Sequence, residues 1–342
     1  MTKKILVTGG TGYIGSHTVV ELMEEGYETI IVDDLSNSSA DVLDSIEKIA
    51  GKRPAFEQFD LTDKTKLDQF FEKHRGLDAI IHFAASKAVG ESVEKPLHYY
   101  RNNLLSLINL IECQLEFNVP NIVFSSSCTV YGQPEKLPVT EQTPRKDAES
   151  PYGNTKKVNE DILNDSIRAF PQLKGIALRY FNPIGAHPSA MIGELPLGVP
   201  QNLVPFITQT AAGLRDELKV FGDNYDTPDG SAVRDYINVV DLAKAHVIAI
   251  DRLLAGKNKK SYEVFNLGTG NGFSVLEIVK GFEKATGVKL NYKIVDRREG
   301  DIEKIWADTT YANSELGWKA ETSLEATLLS AWNWEKKIRG IH

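Results

Sequence analysis

Short apolar runs recur along the first half of the chain, each followed by a stretch with helical spacing. Ile5 to Val7, Thr29 to Val32, Phe56 to Phe59, Asp78 to Phe83, Asn121 to Phe124 and Gly175 to Arg179 are the runs. Continuous apolar segments of this length read as strands buried on both faces. Helical patterns lie between them, for example Pro96 to Phe117 and one opening at Pro151. The alternation predicts a Rossmann-type α/β fold, a doubly wound parallel sheet whose ligands gather at the carboxyl ends of the strands. Lys87, Ser125 to Ser127 and Asn182 leave those ends.

Beyond residue 183 the pattern changes. Glycine and proline crowd the chain from Pro183 to Pro205 and from Gly222 to Gly230, which is loop chemistry. This predicts a nucleotide-binding domain over residues 1–182, rejoined by about 235–258, and a smaller α/β substrate-binding domain over most of 183–342. Residues 234–241 return to regular structure, with a helix expected after Asp241. Phe265 to Gly268, a helix near Ser274 to Ala285, and Tyr292 to Val295 read as a small α/β unit. Helical patterns close the chain around Thr309 to Leu316 and Ser323 to Lys337.

Composition narrows the partners. The 342 residues can bury a substantial core, and a net charge of −8 argues against a nucleic-acid or anionic membrane surface. Cys113 and Cys128 stand in no redox or metal spacing, and the seven histidines show no ligand spacing. Reduced cysteines, no metal and a cytoplasmic location are the expectation. The first residues run straight into a strand with no signal-length apolar segment, and nothing later reaches membrane-spanning length.

Two stretches carry chemistry. Gly9, Gly12 and Gly15 punctuate the turn after the first strand, where they permit a tight turn, close backbone approach and close helix packing. The following helix aims its amides over that turn, which favours a pyrophosphate. The second strand ends in Asp33-Asp34, and Asp33 stands near the offset of a carboxylate that binds adenosine ribose hydroxyls. Its charge would repel a 2′-phosphate, so NAD is expected rather than NADP; Asp60, ending the third strand, would stand beside the adenine. The second stretch is Ser150-Pro-Tyr-Gly-Asn-Thr-Lys156. Ser150 suits an N-cap and Pro151 the first helical position. Tyr152 and Lys156 then share a helix face, and the ammonium is expected to lower the phenol's pKa and make it a general base.

A dinucleotide turn, a Tyr152/Lys156 pair and a serine cluster at Ser125 to Ser127 together resemble the extended short-chain dehydrogenase/reductase family, over nearly the whole chain. Residues 124–132, 150–153, 179–187, 233–237 and 297–301 narrow the likeness to its sugar-nucleotide 4-epimerases. That resemblance implies an NAD-dependent isomerase of galactose metabolism, exchanging UDP-glucose and UDP-galactose by oxidation at C4, turning of a 4-keto sugar and reduction from the other face. It implies Tyr152 as base, Ser127 as proton relay and Lys156 as the nicotinamide ribose ligand. It further implies cofactor contacts at Tyr13, Ile14, Asp34, Asn37, Ser38, Leu61, Phe83, Ala84, Ala85, Lys87, Asn102, Ser125 and Tyr180. Arg234 and Arg298 would clamp the diphosphate, Asp301 the uridine ribose, and Asn202, Leu203, Phe221 and Tyr236 would line the nucleotide end. Asn182 and Lys87 would face the sugar, and a homodimer through residues 96–117 and 151–170 is expected. Related dehydratases carry an Asp-Glu pair where this chain has Cys128-Thr129, which disfavours elimination. Ile305 stands where the epimerases place a gate residue, so the N-acetylated sugars are expected to be poor substrates.

Overall fold

The computed structural model describes residues 2–297 and 302–341. The chain begins with three strand–helix units, β1 (Lys4–Thr8), α1 (Tyr13–Glu24), β2 (Glu28–Asp33), α2 (Val42–Ala50), β3 (Ala55–Gln58) and α3 (Lys64–Lys73). It continues through β4 (Ala79–His82), α4 (Val89–Glu94), α5 (Pro96–Glu116), β5 (Asn121–Ser127), α6 (Pro151–Ala169) and β6 (Lys174–Tyr180). Then follow β7 (Asn182–Ile184), α7 (Leu203–Ala211), β8 (Leu218–Phe221), β9 (Val233–Arg234), β10 (Tyr236–Asn238), α8 (Val239–Leu254) and β11 (Tyr262–Leu267). The last elements are β12 (Phe273–Ser274), α9 (Val275–Thr286), β13 (Tyr292–Val295), β14 (Lys304–Ile305) and α10 (Leu324–Arg339).

Seven strands form the central sheet in the order β11-β6-β5-β4-β1-β2-β3. Every pairing in it is parallel. The chain winds outward in one direction from β1 and in the other from β4, so a crevice opens above the carboxyl ends of these two neighbours. Apolar residues on both faces of the sheet drive the layering. Ile5, Val7 and Ile31 pack on one side with α1 and α8 residues such as Val19 and Ile250, whereas Leu6, Ile30 and Ile80 pack on the other with Leu107, Leu110 and Leu163 of α5 and α6.

Four sequence expectations need correction. The stretch around Phe265 does not join α9 and β13 in a separate unit; β11 extends the central sheet, Gly175 to Tyr180 pairing with Tyr262 to Leu267. The crossover helix α8 returns the chain to the sheet, and burial of Phe265 and Leu267 completes the edge. α8 starts at Val239 rather than beyond Asp241, because the Asn238 side chain caps it, accepting from the amides of Val240 at 2.8 Å and Asp241 at 3.4 Å. The proline-rich stretch contains the start of α7; Pro205 falls in its first turn, where no helical amide is required. β5 runs on to Ser127, keeping all three serines on the strand.

The remaining elements form a second cluster. β8 pairs with β13, and α7, α9 and α10 enclose Ile207, Val220, Phe282 and Trp332. Among the described residues no helix is long and apolar enough to cross a membrane.

Candidate active site

The glycine turn lies over the crevice. Gly9 has a φ of +71°, and a Cβ there would lie 2.8 Å from the Ala84 nitrogen. A Cβ on Gly15 would sit 2.1 Å from the Gly9 carbonyl oxygen, so α1 packs onto the turn as only glycine allows. No side chain caps α1 at Gly12, which leaves its first-turn amides open to an anion. Asp33 accepts from the Thr11 amide at 3.2 Å, the Leu35 amide at 3.0 Å and Ser38 Oγ at 3.2 Å, fixing a carboxylate beside the turn. An open amide cradle with an anchored carboxylate at the next strand end suits a dinucleotide's pyrophosphate and ribose.

The other expected cofactor residues border this turn or the neighbouring strand ends. Ser38 Oγ lies 2.7 Å from Thr11 Oγ1, Asp34 accepts from the Ser36 amide at 2.9 Å, and Asn37 is exposed. Asp60 is exposed at the end of β3 and Leu61 is buried beneath it. Tyr13 donates from its hydroxyl to the Gly185 carbonyl at 2.7 Å, and Ile14 is half-buried. Phe83 packs on the His246 ring with centroids 4.7 Å apart, and Ala84 and Ala85 follow it. Asn102 Nδ2 donates to Ser86 Oγ at 3.1 Å, and Lys87 is exposed on the loop.

The α6 start matches its sequence signals. Ser150 Oγ accepts from the Gly153 amide at 3.1 Å and Pro151 occupies the first turn. Tyr152 and Lys156 share the inner face, with Nζ 5.9 Å from the phenol ring centre. Lys156 donates to the Ser125 carbonyl at 2.6 Å and lies 5.0 Å from the Phe124 ring centre. Ser125 Oγ lies 2.5 Å from the Tyr180 hydroxyl. The electrostatics differ from the sequence expectation. Burial raises the Tyr152 phenol well above the ordinary tyrosine range, and a hydrogen bond from Ser127 pulls it only partly back. Burial likewise lowers Lys156 to about 7, with the Glu160 carboxylate opposing. Desolvation penalises phenolate and ammonium together, so the Tyr–Lys spacing alone does not activate the phenol. Beside them, burial pushes the Cys128 thiol up to about 12, and Thr129 Oγ1 is buried with no hydrogen-bond partner among the described residues.

On the substrate side, the Asn182 amide donates to the Asp235 carbonyl at 3.0 Å. Arg234 Nη1 donates to the Val233 carbonyl at 2.9 Å, and its charge acts on the Cys128 thiol, so it borders the serine strand. Tyr236 is buried, Phe221 half-buried at the end of β8, and Leu203 packs beside Ile207 at the start of α7. Asn202 Nδ2 donates to Glu194 Oε1 at 2.6 Å. Ile305 is 2% exposed, paired with Arg234 across β14 and β9 and clustered with Phe181, Val130 and Cys128. Arg298 and Asp301 lie outside the described residues.

Sequence reasoning missed two carboxylates here. Burial raises Glu194 while the charge of Lys87 lowers it, and its own charge reaches Tyr13, so it links the glycine turn to Asn202. Asp235 is fully buried and accepts from Thr269 N at 2.8 Å, Thr269 Oγ1 at 2.7 Å, Gly270 N at 3.2 Å and Ala307 N at 3.2 Å. Its adjacency to Arg234 was the one available signal. Nothing in Gly193-Glu194-Leu195 marks the other.

A family model described as GDP-mannose 4,6 dehydratase matches residues 6–330. UDP-glucose 4-epimerase 2 of Arabidopsis thaliana is 51% identical over 337 residues, covering 98% of this chain and 95% of its own. The UDP-glucose 4-epimerase of Bacillus subtilis is 50% identical over 331 residues, covering 97% and 96%. Among solved structures, the UDP-glucose 4-epimerase of Bifidobacterium longum in complex with NAD+ and UDP superposes with a TM-score of 0.94 at 47% identity, covering 99% of this chain and 100% of that one.

Proposed function

The chain belongs to the UDP-glucose 4-epimerase family, within the wider group that the GDP-mannose 4,6 dehydratase model describes, and we propose on that basis that it interconverts UDP-galactose and UDP-glucose by inverting C4. It is an NAD-dependent isomerase of galactose metabolism. Bound NAD supplies reversible hydride acceptance at the sugar C4. The glycine turn, the α1 amides and Asp33 hold its pyrophosphate and adenosine ribose, and Lys156 holds the nicotinamide ribose.

Tyr152 accepts the proton of the 4-hydroxyl and later returns it, and Ser127 relays it through a shared hydrogen bond. The observation that carries this reading is that Lys156 Nζ, 5.9 Å from the Tyr152 ring centre, donates at 2.6 Å to the carbonyl of Ser125 on the strand whose end presents Ser127. A protonated phenol cannot take that proton, and burial raises the Tyr152 pKa, so positive charge from Lys156 must hold Tyr152 as the phenolate before the 4-hydroxyl is deprotonated. The 4-keto sugar turns between the two half-reactions, so affinity resides in the part that stays still. Arg234 and Arg298 clamp the diphosphate, Asn202, Leu203, Phe221, Tyr236 and Asp301 hold the uridine, and Asn182 and Lys87 face the sugar.

Residues 1–182, with about 235–258 and the sheet strand β11, form the cofactor-binding domain, and most of the rest of 183–342 forms the substrate domain. The enzyme is a cytoplasmic homodimer joined through α5 and α6; exposed Leu97 at 78%, with Leu105 at 36% and Ile108 at 37%, all on α5, support that face. Proton NMR of the purified protein with UDP-galactose and no added NAD tests the reading. Conversion to a mixture with UDP-glucose is expected; no conversion, even after NAD is supplied, would overturn it.

A further inference from the structure

α6 meets the end of β5 at three successive serines. Ser127 acts on the Tyr152 phenol, Lys156 Nζ donates to the Ser125 carbonyl at 2.6 Å, and Ser126 Oγ donates to Glu160 Oε1 at 2.5 Å. The three helix residues are four apart and form one stripe. Glu160 is 2% exposed, and charged donors satisfy its carboxylate. Arg179 Nε reaches Oε1 at 2.8 Å and Nη2 reaches Oε2 at 2.5 Å; Arg145 Nη1 reaches Oε2 at 3.3 Å. Arg179 also donates to the Tyr131 hydroxyl at 2.9 Å, which ties the carboxylate to the far side of the serine strand.

We propose that Glu160 is a positioning residue of the active site: it holds Ser126, and through it the strand end that presents Ser127, and it sets its carboxylate against the Lys156 ammonium. This rests on the roles of Ser127 and Lys156 given above. The charges around Lys156 make its part readable. His82 of β4 is neutral above about 3, while Cys128 and Tyr180 of β6 stay protonated up to about 12, and burial holds Tyr152 higher still. Arg179 of β6 and Arg145 stand behind Glu160 and carry fixed charge. Lys156, lowered to about 7 with Glu160 opposing that fall, is the member of the group that changes charge near neutrality.

The test measures kcat, KM and the kcat–pH profile of the enzyme with its bound cofactor, for the parent, Glu160→Gln, Glu160→Asp, Ser126→Ala and Lys156→Met. Glu160→Gln is expected to lower kcat by roughly 10- to 100-fold with little change in KM, and to move the alkaline fall of kcat about half a pH unit or more to lower pH. Glu160→Asp should recover part of both effects. Ser126→Ala, which leaves Glu160 and its charge in place, should lower kcat about tenfold without moving the profile. Full kcat in Glu160→Gln, or a loss with an unmoved profile, overturns the proposal. If Glu160→Gln does not fold, undiminished kcat in Ser126→Ala overturns it and the tenfold loss supports it. Full activity in Lys156→Met would instead overturn the underlying assignment of Lys156.

Discussion

Lys156 Nζ lies 2.6 Å from the Ser125 carbonyl oxygen, while the Tyr152 ring centre is 5.9 Å away. The ammonium is therefore anchored to the strand that carries Ser127 rather than to the phenol. It can act on Tyr152 only through space and only while charged.

Tyr152→Phe should leave the cofactor bound and lower turnover by roughly 10²- to 10⁴-fold, the usual worth of a general base. Cofactor absorbance per protomer and a coupled rate assay check both halves. Undiminished turnover would remove the phenol from proton transfer.

Gly15→Ala places a methyl 2.1 Å from the Gly9 carbonyl oxygen, where backbone rather than a yielding side chain must move. The expected loss of stability is about 1–3 kcal/mol, with the glycine turn displaced and NAD content reduced. A thermal melt and the ratio of cofactor to protein would show it, and an unchanged melting temperature with full occupancy would contradict it.

Ile305 is buried beside Cys128 and Phe181, and under the proposed function it is the gate residue whose volume limits the sugar's N-acyl group. The parent should prefer UDP-glucose over UDP-N-acetylglucosamine, and Ile305→Gly should raise the relative rate on the N-acetylated sugar by about tenfold or more, within the reach of a steric pocket change. Comparable rates on both sugars in the parent would defeat the assignment.

His82 titrates at about 3, below the ordinary 6.5, because burial disfavours its charged form. As pH falls from 6.5 toward 3, the unfolded chain takes up a proton that the folded chain refuses, so this residue makes stability fall on acidification. Glu21, raised to about 7, acts in the opposite sense and partly offsets it. His82→Asn should therefore lose less melting temperature than the parent between about pH 7 and pH 4.5. Parallel melting curves across that range would show that His82 does not contribute.

Leu97 is 78% exposed on α5, and an apolar face there is the expected dimer surface. Leu97→Glu should shift the protein toward monomer in sedimentation velocity, and an unshifted dimer would move the interface elsewhere.

What the sequence determined by itself was local. Glycines at 9, 12 and 15 after an apolar strand, Ser150-Pro151 opening a helix, and Tyr152 four residues before Lys156 act through neighbours in the chain, and the structure keeps each where that spacing puts it. Tertiary structure decided what depends on distant residues. The seventh strand is β11 because α8 returns the chain beside β6, which no period in Tyr262 to Leu267 announces. The charge of Lys87 reaches Glu194 from more than a hundred residues away, and Asp235 holds Thr269 and Ala307 through contacts between residues far apart in the chain. The raised phenol and the lowered Lys156 follow from the same cause. A pKa is set by how much water the fold removes, and solvent exclusion belongs to the packed assembly rather than to any short stretch of chain.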